Sequence, residues 1–256
     1  MNRIDRVFRD RTRKALIGYV TAGYPSAEAT LTIVPALVES GCDIIELGIP
    51  FSDPLADGPI IQKSSFEALQ KGITPGKCLQ TAHALRRQLE VPLIFMGYFN
   101  PILHYGLEEF CRDSAAAGVD GLIIPDLPPE EGTELEKSSR RYGLDLVYLL
   151  APTSDEERIR MVSKRSRGFI YLVSITGVTG SGAGLPPELE EFVNRVRRRT
   201  SKPLCVGFGI ATPAQARRVA QVADGIIVGS RIIKLIEEDP TLARMKSFVK
   251  DLRRAF

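Results

Sequence analysis

No stretch of the chain approaches the length of a membrane span, and the opening residues, MNRIDRVFRDRTRK, are charged and carry no apolar signal-peptide core. The four cysteines, at 42, 78, 111 and 205, form no CxxC pair and no other metal-ligand spacing. Cys42 and Cys205 fall at or in strand-like apolar runs, where a thiol behaves as a small buried hydrophobe. A reduced, cytoplasmic protein without a metal is the expectation. A large net charge is missing as well: the 34 Lys and Arg are scattered among 31 Asp and Glu, and the net value is only +3. That excludes a strong electrostatic footprint for nucleic acid. The densest basic spots, RRYG at 140–143 and RVRRR at 195–199, read as solvated helix faces. Linkers, low-complexity tracts and shifts of composition are lacking too, so residues 1–256 are expected to form one domain.

What is present is an alternation. Apolar runs occur at 15–20, 43–48, 91–96, 119–124, 145–150, 169–174, 203–207 and 224–228. Most are continuous, as strands buried on both faces of a parallel sheet require. Amphipathic segments of helical length lie between them, which predicts βαβ units with right-handed crossovers. Eight such units in 256 residues favour an α/β fold of the (β/α)8 TIM-barrel type. Helix signals include Ser26 as an N-cap before Gly41, a Ser154/Glu157 capping box, and Thr212, Pro213 and Gln215 at another helix start. Leu242, Met245, Phe248, Val249 and Leu252 form one apolar helical stripe. Ile4, Val7 and Phe8 predict an extra N-terminal helix over the bottom of the barrel.

In such a barrel the site lies in the loops after the strands' C-terminal ends. The segment CDIIELGIPFSDPLADGPIIQ, residues 42–62, is the most informative of these. It places Glu46 inside an apolar strand and then opens into a loop stiffened by Pro50, Pro54 and Pro59, with Asp53 and Asp57 on it. A strand that delivers one carboxylate beside a second can build an acid/base pair. On these residues alone an ion-paired Glu46 followed by a solvated acidic turn accounts for the segment as well. The Gly-rich stretch GVTGSGAG, 177–184, lacks the Lys-Ser or Lys-Thr of a P-loop and the strand-to-helix context of GxGxxG. By itself it is only a flexible loop. Together with GFGI after the seventh run and GSRI after the eighth, it predicts a phosphate site. Gly209 and Gly229 allow close backbone approach, and Ser230 opens a short helix, IIKLIEE, whose N-terminus favours an anion.

These residues closely resemble the alpha subunit family of tryptophan synthase. The similarity runs through GYVTAGYP, DIIELGIPFSDPLADGPIIQ, MGYFNPI, GLIIPDLPPEE, LLAPTS, YLVSITGVTG, VGFGIATP and ADGIIVGS, nearly the whole chain. The resemblance implies a lyase that cleaves indole-3-glycerol phosphate to indole and glyceraldehyde 3-phosphate. The indole passes through a tunnel to a β subunit in an αββα complex. The cofactor PLP belongs to that partner and not to this chain. It implies Glu46 as general acid/base near indole C3 and the adjacent hydroxyl, with Asp57 at the indole N1–H. Phosphate contacts carry over to Gly180, Phe208, Gly209, Gly229 and Ser230. Tyr171 and Thr179 lie beside the substrate, and Thr179 meets the catalytic Asp as its loop closes. Tyr19, Met96, Ile123 and Ile227 are candidate walls for the indole, though ordinary barrel core explains each of them equally. Pro50, Asp53, Pro54, Asn100 and Asp126 match the face that meets the β subunit.

Two departures from the family pattern stand out. GVTG continues with Ser181-Gly182-Ala183-Gly184 where many members have Ala-Arg, and Arg231 stands where a small residue is common. Arg231 either adds positive potential near the phosphate or points outward along its helix. His83 and His104 match no catalytic position. Other phosphosugar barrels, such as isomerases, want a different acid/base set. An activator without activity and a stand-alone indole-releasing lyase remain the rival functional readings.

Overall fold

The computed structural model describes residues 2–10, 12–174, 187–207 and 209–256. Nine parallel strands wrap around a central core in a nearly closed TIM barrel. In chain order the strands are β1 (Ala15–Thr21), β2 (Ile44–Gly48), β3 (Leu93–Met96), β4 (Gly121–Ile123), β5 (Asp145–Val147), β6 (Leu149–Leu150), β7 (Ile170–Val173), β8 (Leu204–Gly207) and β9 (Gly225–Val228). Hydrogen-bonded neighbours run β5-β4-β3-β2-β1-β9-β8-β7-β6. The two ends of that series are consecutive in sequence. The run expected as one strand over 145–150 is therefore two short ones, and it forms the seam of the barrel. The cause lies at Tyr148, whose N–H is bonded to Ser166 Oγ (3.0 Å) rather than to a neighbouring strand. Its carbonyl accepts from the Tyr171 N–H at 3.1 Å, which starts the pairing with β7.

Helices cover the outside: α1 (Arg3–Val7), α2 (Ala27–Ser40), α3 (Pro59–Gln70), α4 (Pro75–Arg86), α5 (Phe99–Tyr105), α6 (Leu107–Ala116), α7 (Thr133–Arg141), α8 (Glu156–Arg165), α9 (Pro187–Arg197), α10 (Pro213–Ala220), α11 (Ser230–Glu238) and α12 (Ala243–Arg254). Their caps follow local chemistry. The Ser26 side chain accepts from Ala29 N–H, and α2 continues through Pro35 to end at Gly41, whose φ is 120°. Thr212 and Gln215 form the reciprocal capping box of α10. The expected box at Ser154 does not form. Asp155 caps α8 by accepting from Arg158 N–H, while Ser154 Oγ takes the Ala151 N–H in the preceding turn. Leu242 sits just before α12 with φ 63° and is still buried, so the apolar stripe survives.

Period-two alternation divides the core into two shells. Leu16, Ile45, Leu47, Phe95, Leu122 and Leu172 point outward into the helix layer, while Ile17, Tyr19, Ile44, Ile94, Met96, Val147 and Tyr171 fill the barrel. The lower end of the inner shell is closed by Ile4 and Phe8 of the N-terminal segment. The Phe8 ring meets Phe169 at a centroid distance of 5.8 Å. Burying these two side chains contributes about 2–3 kcal/mol each. Glu46 shares the inner face with Ile44, and that parity carries a carboxylate into the top of an apolar barrel.

Candidate active site

Glu46 is the third residue of β2, in register with Tyr19 on one side and Ile94 on the other. Its side chain is fully buried, and among the described residues neither Oε1 nor Oε2 has a hydrogen-bond partner. The ion-paired reading of Glu46 therefore fails. Burial raises its carboxyl from the usual 4.5 to about 8, and the nearby Asp57 charge pushes in the same direction.

Asp57 is brought in by the loop between β2 and α3. Its N–H is bonded to the Pro54 carbonyl at 3.0 Å, and its own carbonyl accepts from Gln62 Nε2 at 2.8 Å. Tyr98, two residues past the end of β3, fixes the carboxylate. The phenol donates to Asp57 Oδ2 (3.0 Å) and accepts from the Ala56 N–H (3.0 Å). The Tyr98 ring stacks on Phe51 at 5.3 Å, and Phe51 is itself pinned through N–H and carbonyl to Ser65 Oγ on α3. Asp57 Oδ1 is buried and has no partner among the described residues. One oxygen is thus tethered and the other is available to a ligand donor. Burial lifts Asp57 from 3.8 to about 6, with the Tyr98 hydrogen bond holding it lower than burial alone would. Two carboxyls with well-separated values can hold one proton between them at neutral pH, Glu46 as the acid and Asp57 as the anion.

Both carboxylates open onto a cavity of about 250 Å3. Tyr19, Ile61, Met96, Tyr171 and Ile227 form its walls, and Gly209, Ile210, Ala211, Gly229, Ser230 and Arg231 bound the other end. Two tyrosines reach over glycines of the next strand. A Cβ on Gly48 would lie 2.1 Å from the Tyr19 hydroxyl, and one on Gly207 would lie 2.2 Å from that of Tyr171. Tyr19 also faces Thr21 Oγ1 (3.4 Å), which is bonded to Ser64 Oγ at 2.7 Å. At the glycine end, Gly229 precedes α11 with no side-chain cap among the described residues, and the first N–H groups of a helix have no partner within it. Gly209 adopts φ 78°, which a residue with a side chain would resist.

Of the residues singled out from the sequence, the cavity unites Tyr19, Glu46, Asp57, Met96, Tyr171, Gly209, Ile227, Gly229 and Ser230. Ile123 belongs to the inner barrel but does not line the cavity. Thr179, Gly180 and Phe208, with the 177–187 loop apart from helix α9 at its end, lie outside the described residues. Asp53, Asn100 and Asp126 are exposed and Pro54 is half-buried. Pro50 is buried in the chain itself, next to Ile49, whose N–H is bonded to Met96 O at the barrel rim; the loop's surface begins at Ser52. Tyr98, Ile61, Ile210 and Ala211 were not singled out. Tyr98 carried the one usable signal, a hydroxyl-bearing aromatic in the loop after a barrel strand. Among the described residues no group of three or more His, Cys, Asp or Glu could hold a metal, and no helix is long and apolar enough to cross a membrane.

A sequence profile of the tryptophan synthase alpha chain matches residues 6–255. The chain belongs to that family. It is 55% identical over 255 residues to the tryptophan synthase alpha chain of Dehalococcoides mccartyi, covering 100% of this chain and 99% of the relative. The alpha chain of Geobacter sulfurreducens is 49% identical over 261 residues, with 100% and 99% covered. A solved structure of Mycobacterium tuberculosis tryptophan synthase superimposes with a TM-score of 0.92 at 40% identity, covering 99% of this chain and 98% of that one. The alpha chain family performs the lyase reaction of tryptophan biosynthesis in which indole-3-glycerol phosphate is cleaved, and this chain is an enzyme of that family.

Proposed function

We propose that the cavity between Glu46, Asp57 and the α11 N-terminus is where indole-3-glycerol phosphate is cleaved to indole and glyceraldehyde 3-phosphate. The observation that carries this is the pair of buried carboxyls with open oxygens, one raised to about 8 and the other to about 6, at one end of a largely apolar cavity. Protonated Glu46 gives its proton to indole C3, leaving a cationic indolenine. Asp57 Oδ1 accepts from the ring N1–H and steadies that charge. Glu46, now a carboxylate, takes the proton of the hydroxyl on the adjacent carbon. The carbon–carbon bond breaks, the carbonyl of the aldehyde forms, and the bonding pair restores the aromatic ring. Glu46 ends protonated again, so the cycle closes without a cofactor in this chain. The phosphate rests on Gly209, Gly229 and Ser230 at the helix start.

A PLP-bearing β subunit, assembled as αββα and receiving indole by channelling, is the proposed partner, and the cytoplasm the proposed location. The face carrying Asp53, Pro54, Asn100 and Asp126 supports this. Leu55 and Leu103, 84% and 52% exposed, lie on the same loop and on α5. Large apolar side chains left in water mark contact surfaces. The test is indole release from indole-3-glycerol phosphate by the purified chain, with and without a β subunit. Release that rises when β is added is expected. No release in either mixture from folded protein would overturn the lyase assignment in favour of an activator subunit, and fast release that β leaves unchanged would overturn the partner.

A further inference from the structure

The cavity has a charge polarity beyond the two carboxylates. Among its described lining residues Arg231 is the sole cation, and it stands at the glycine end, across from Glu46 and Asp57. Arg231 is the second residue of α11 and half-buried. Among the described residues it has no carboxylate within ion-pairing distance. Its guanidinium lies 6.0 Å from the centroid of Phe248 on α12, at the outer edge of cation–π range. An arginine kept half-buried beside an aromatic ring, with its charge uncompensated, is suited to an anionic ligand that brings the compensation itself.

We infer that Arg231 is a recognition residue for the phosphate monoester of the substrate, adding a charged contact to the backbone donors of Gly229 and Ser230; this rests on the functional reading above. The consequence is orientation. A ligand with an N–H donor at one end and a dianion at the other fits one way round, with its phosphate toward Arg231 and its ring N–H toward Asp57. The reverse placement sets a dianion against two carboxyls and leaves the guanidinium uncompensated. Because the phosphate takes no part in bond cleavage, the contact is equal in the ground and transition states, so its loss appears in KM and not in kcat.

The experiment compares wild type with Arg231→Gln and Arg231→Lys. Steady-state cleavage is measured at two ionic strengths, and glycerol 3-phosphate binding is measured calorimetrically. Circular dichroism establishes that each variant is folded. For Arg231→Gln, KM and the glycerol 3-phosphate Kd are expected to rise roughly tenfold with kcat within about twofold, the size of a hydrogen bond to a charged group. Binding should also lose part of its salt sensitivity. Arg231→Lys should recover part of the loss, and binding of indole itself, which has no anionic end, should not change. A wild-type KM, Kd and salt response in Arg231→Gln would overturn the inference. If wild type cleaves nothing, the functional reading fails and the calorimetric comparison still decides the role of Arg231.

Discussion

Acidic side chains sit at both ends of the barrel strands, and the two ends treat them in opposite ways. At the bottom, Asp43, Asp120 and Asp224 each immediately precede a strand and reach across to the strand before it. They accept from the N–H groups of Leu16, Leu93 and Leu204 at 2.9, 2.9 and 2.8 Å. Arginines complete each one: Arg13 and Arg253 on Asp43, Arg3 and Arg86 on Asp120, Arg197 on Asp224. Asp145 is held in the same layer by Arg167 and Asn2. At the top, among the described residues, Glu46 has no partner on either oxygen and Asp57 has one oxygen free. Charge that is saturated with donors holds the fold. Carboxyls stripped of donors cost stability, and under the proposed function that stability is recovered in chemistry.

If that division is right, substitutions at the two ends should move stability and turnover separately. The largest effect is expected for Glu46→Gln, a fall in kcat of roughly 1,000-fold from loss of the general acid, checked by steady-state cleavage. Its stability should move the other way. The folded carboxyl, at about 8 against an ordinary 4.5, keeps a proton that the unfolded chain has released. The folded state therefore binds more protons between those values, and wild-type stability falls as pH rises through that window. The Gln variant should melt above wild type at pH 8, with the gap closing toward pH 5. A lower melting temperature at pH 8 would break the division.

Asp120→Ala is the mirror experiment. It leaves Arg86 and the Leu93 N–H without their shared acceptor and should cost about 3 kcal/mol in denaturant unfolding, with kcat per folded molecule unchanged. Smallest of the three is Tyr98→Phe. Wild-type kcat/KM should follow a bell, rising as Asp57 ionises near 6 and falling as Glu46 deprotonates near 8. Losing the phenol removes a hydrogen bond that lowers the Asp57 value, so the acid limb should move to higher pH. At pH 7 the rate should drop roughly tenfold at most. An acid limb that stays put would show that Tyr98 only packs.

Much of the barrel was legible because burial on both faces demands continuous apolar runs, and those runs stood out. The split at Tyr148 was not, because it depends on Ser166 arriving from the next helix turn. Ser154 and Asp155 are both good caps, and only the turn that occupies Ser154 decides between them. Glu46 was visible as a carboxylate in a strand, but the same letters suit an ion pair; whether a partner arrives is a matter of three-dimensional placement. The aspartates before β2, β4 and β9 were in plain view and carried a structural meaning that periodicity does not report. Ile123 shows the limit of parity, since facing inward places a residue in the barrel without placing it at the cavity.

The paired tyrosines have a bearing on which ligands the barrel can admit. Tyr19 and Tyr171 lie across Gly48 and Gly207 on the following strands, occupying space that a single methyl group would claim. The volume of the chamber is thus set by what two positions omit. Alanine at either would displace a phenol, a steric dial that shrinks the acceptable ring without replacing either carboxyl. On the proposed function, selectivity for ligand size and competence for proton transfer would be written at different residues of one strand, Gly48 for one and Glu46 for the other, and each could drift while the other is held.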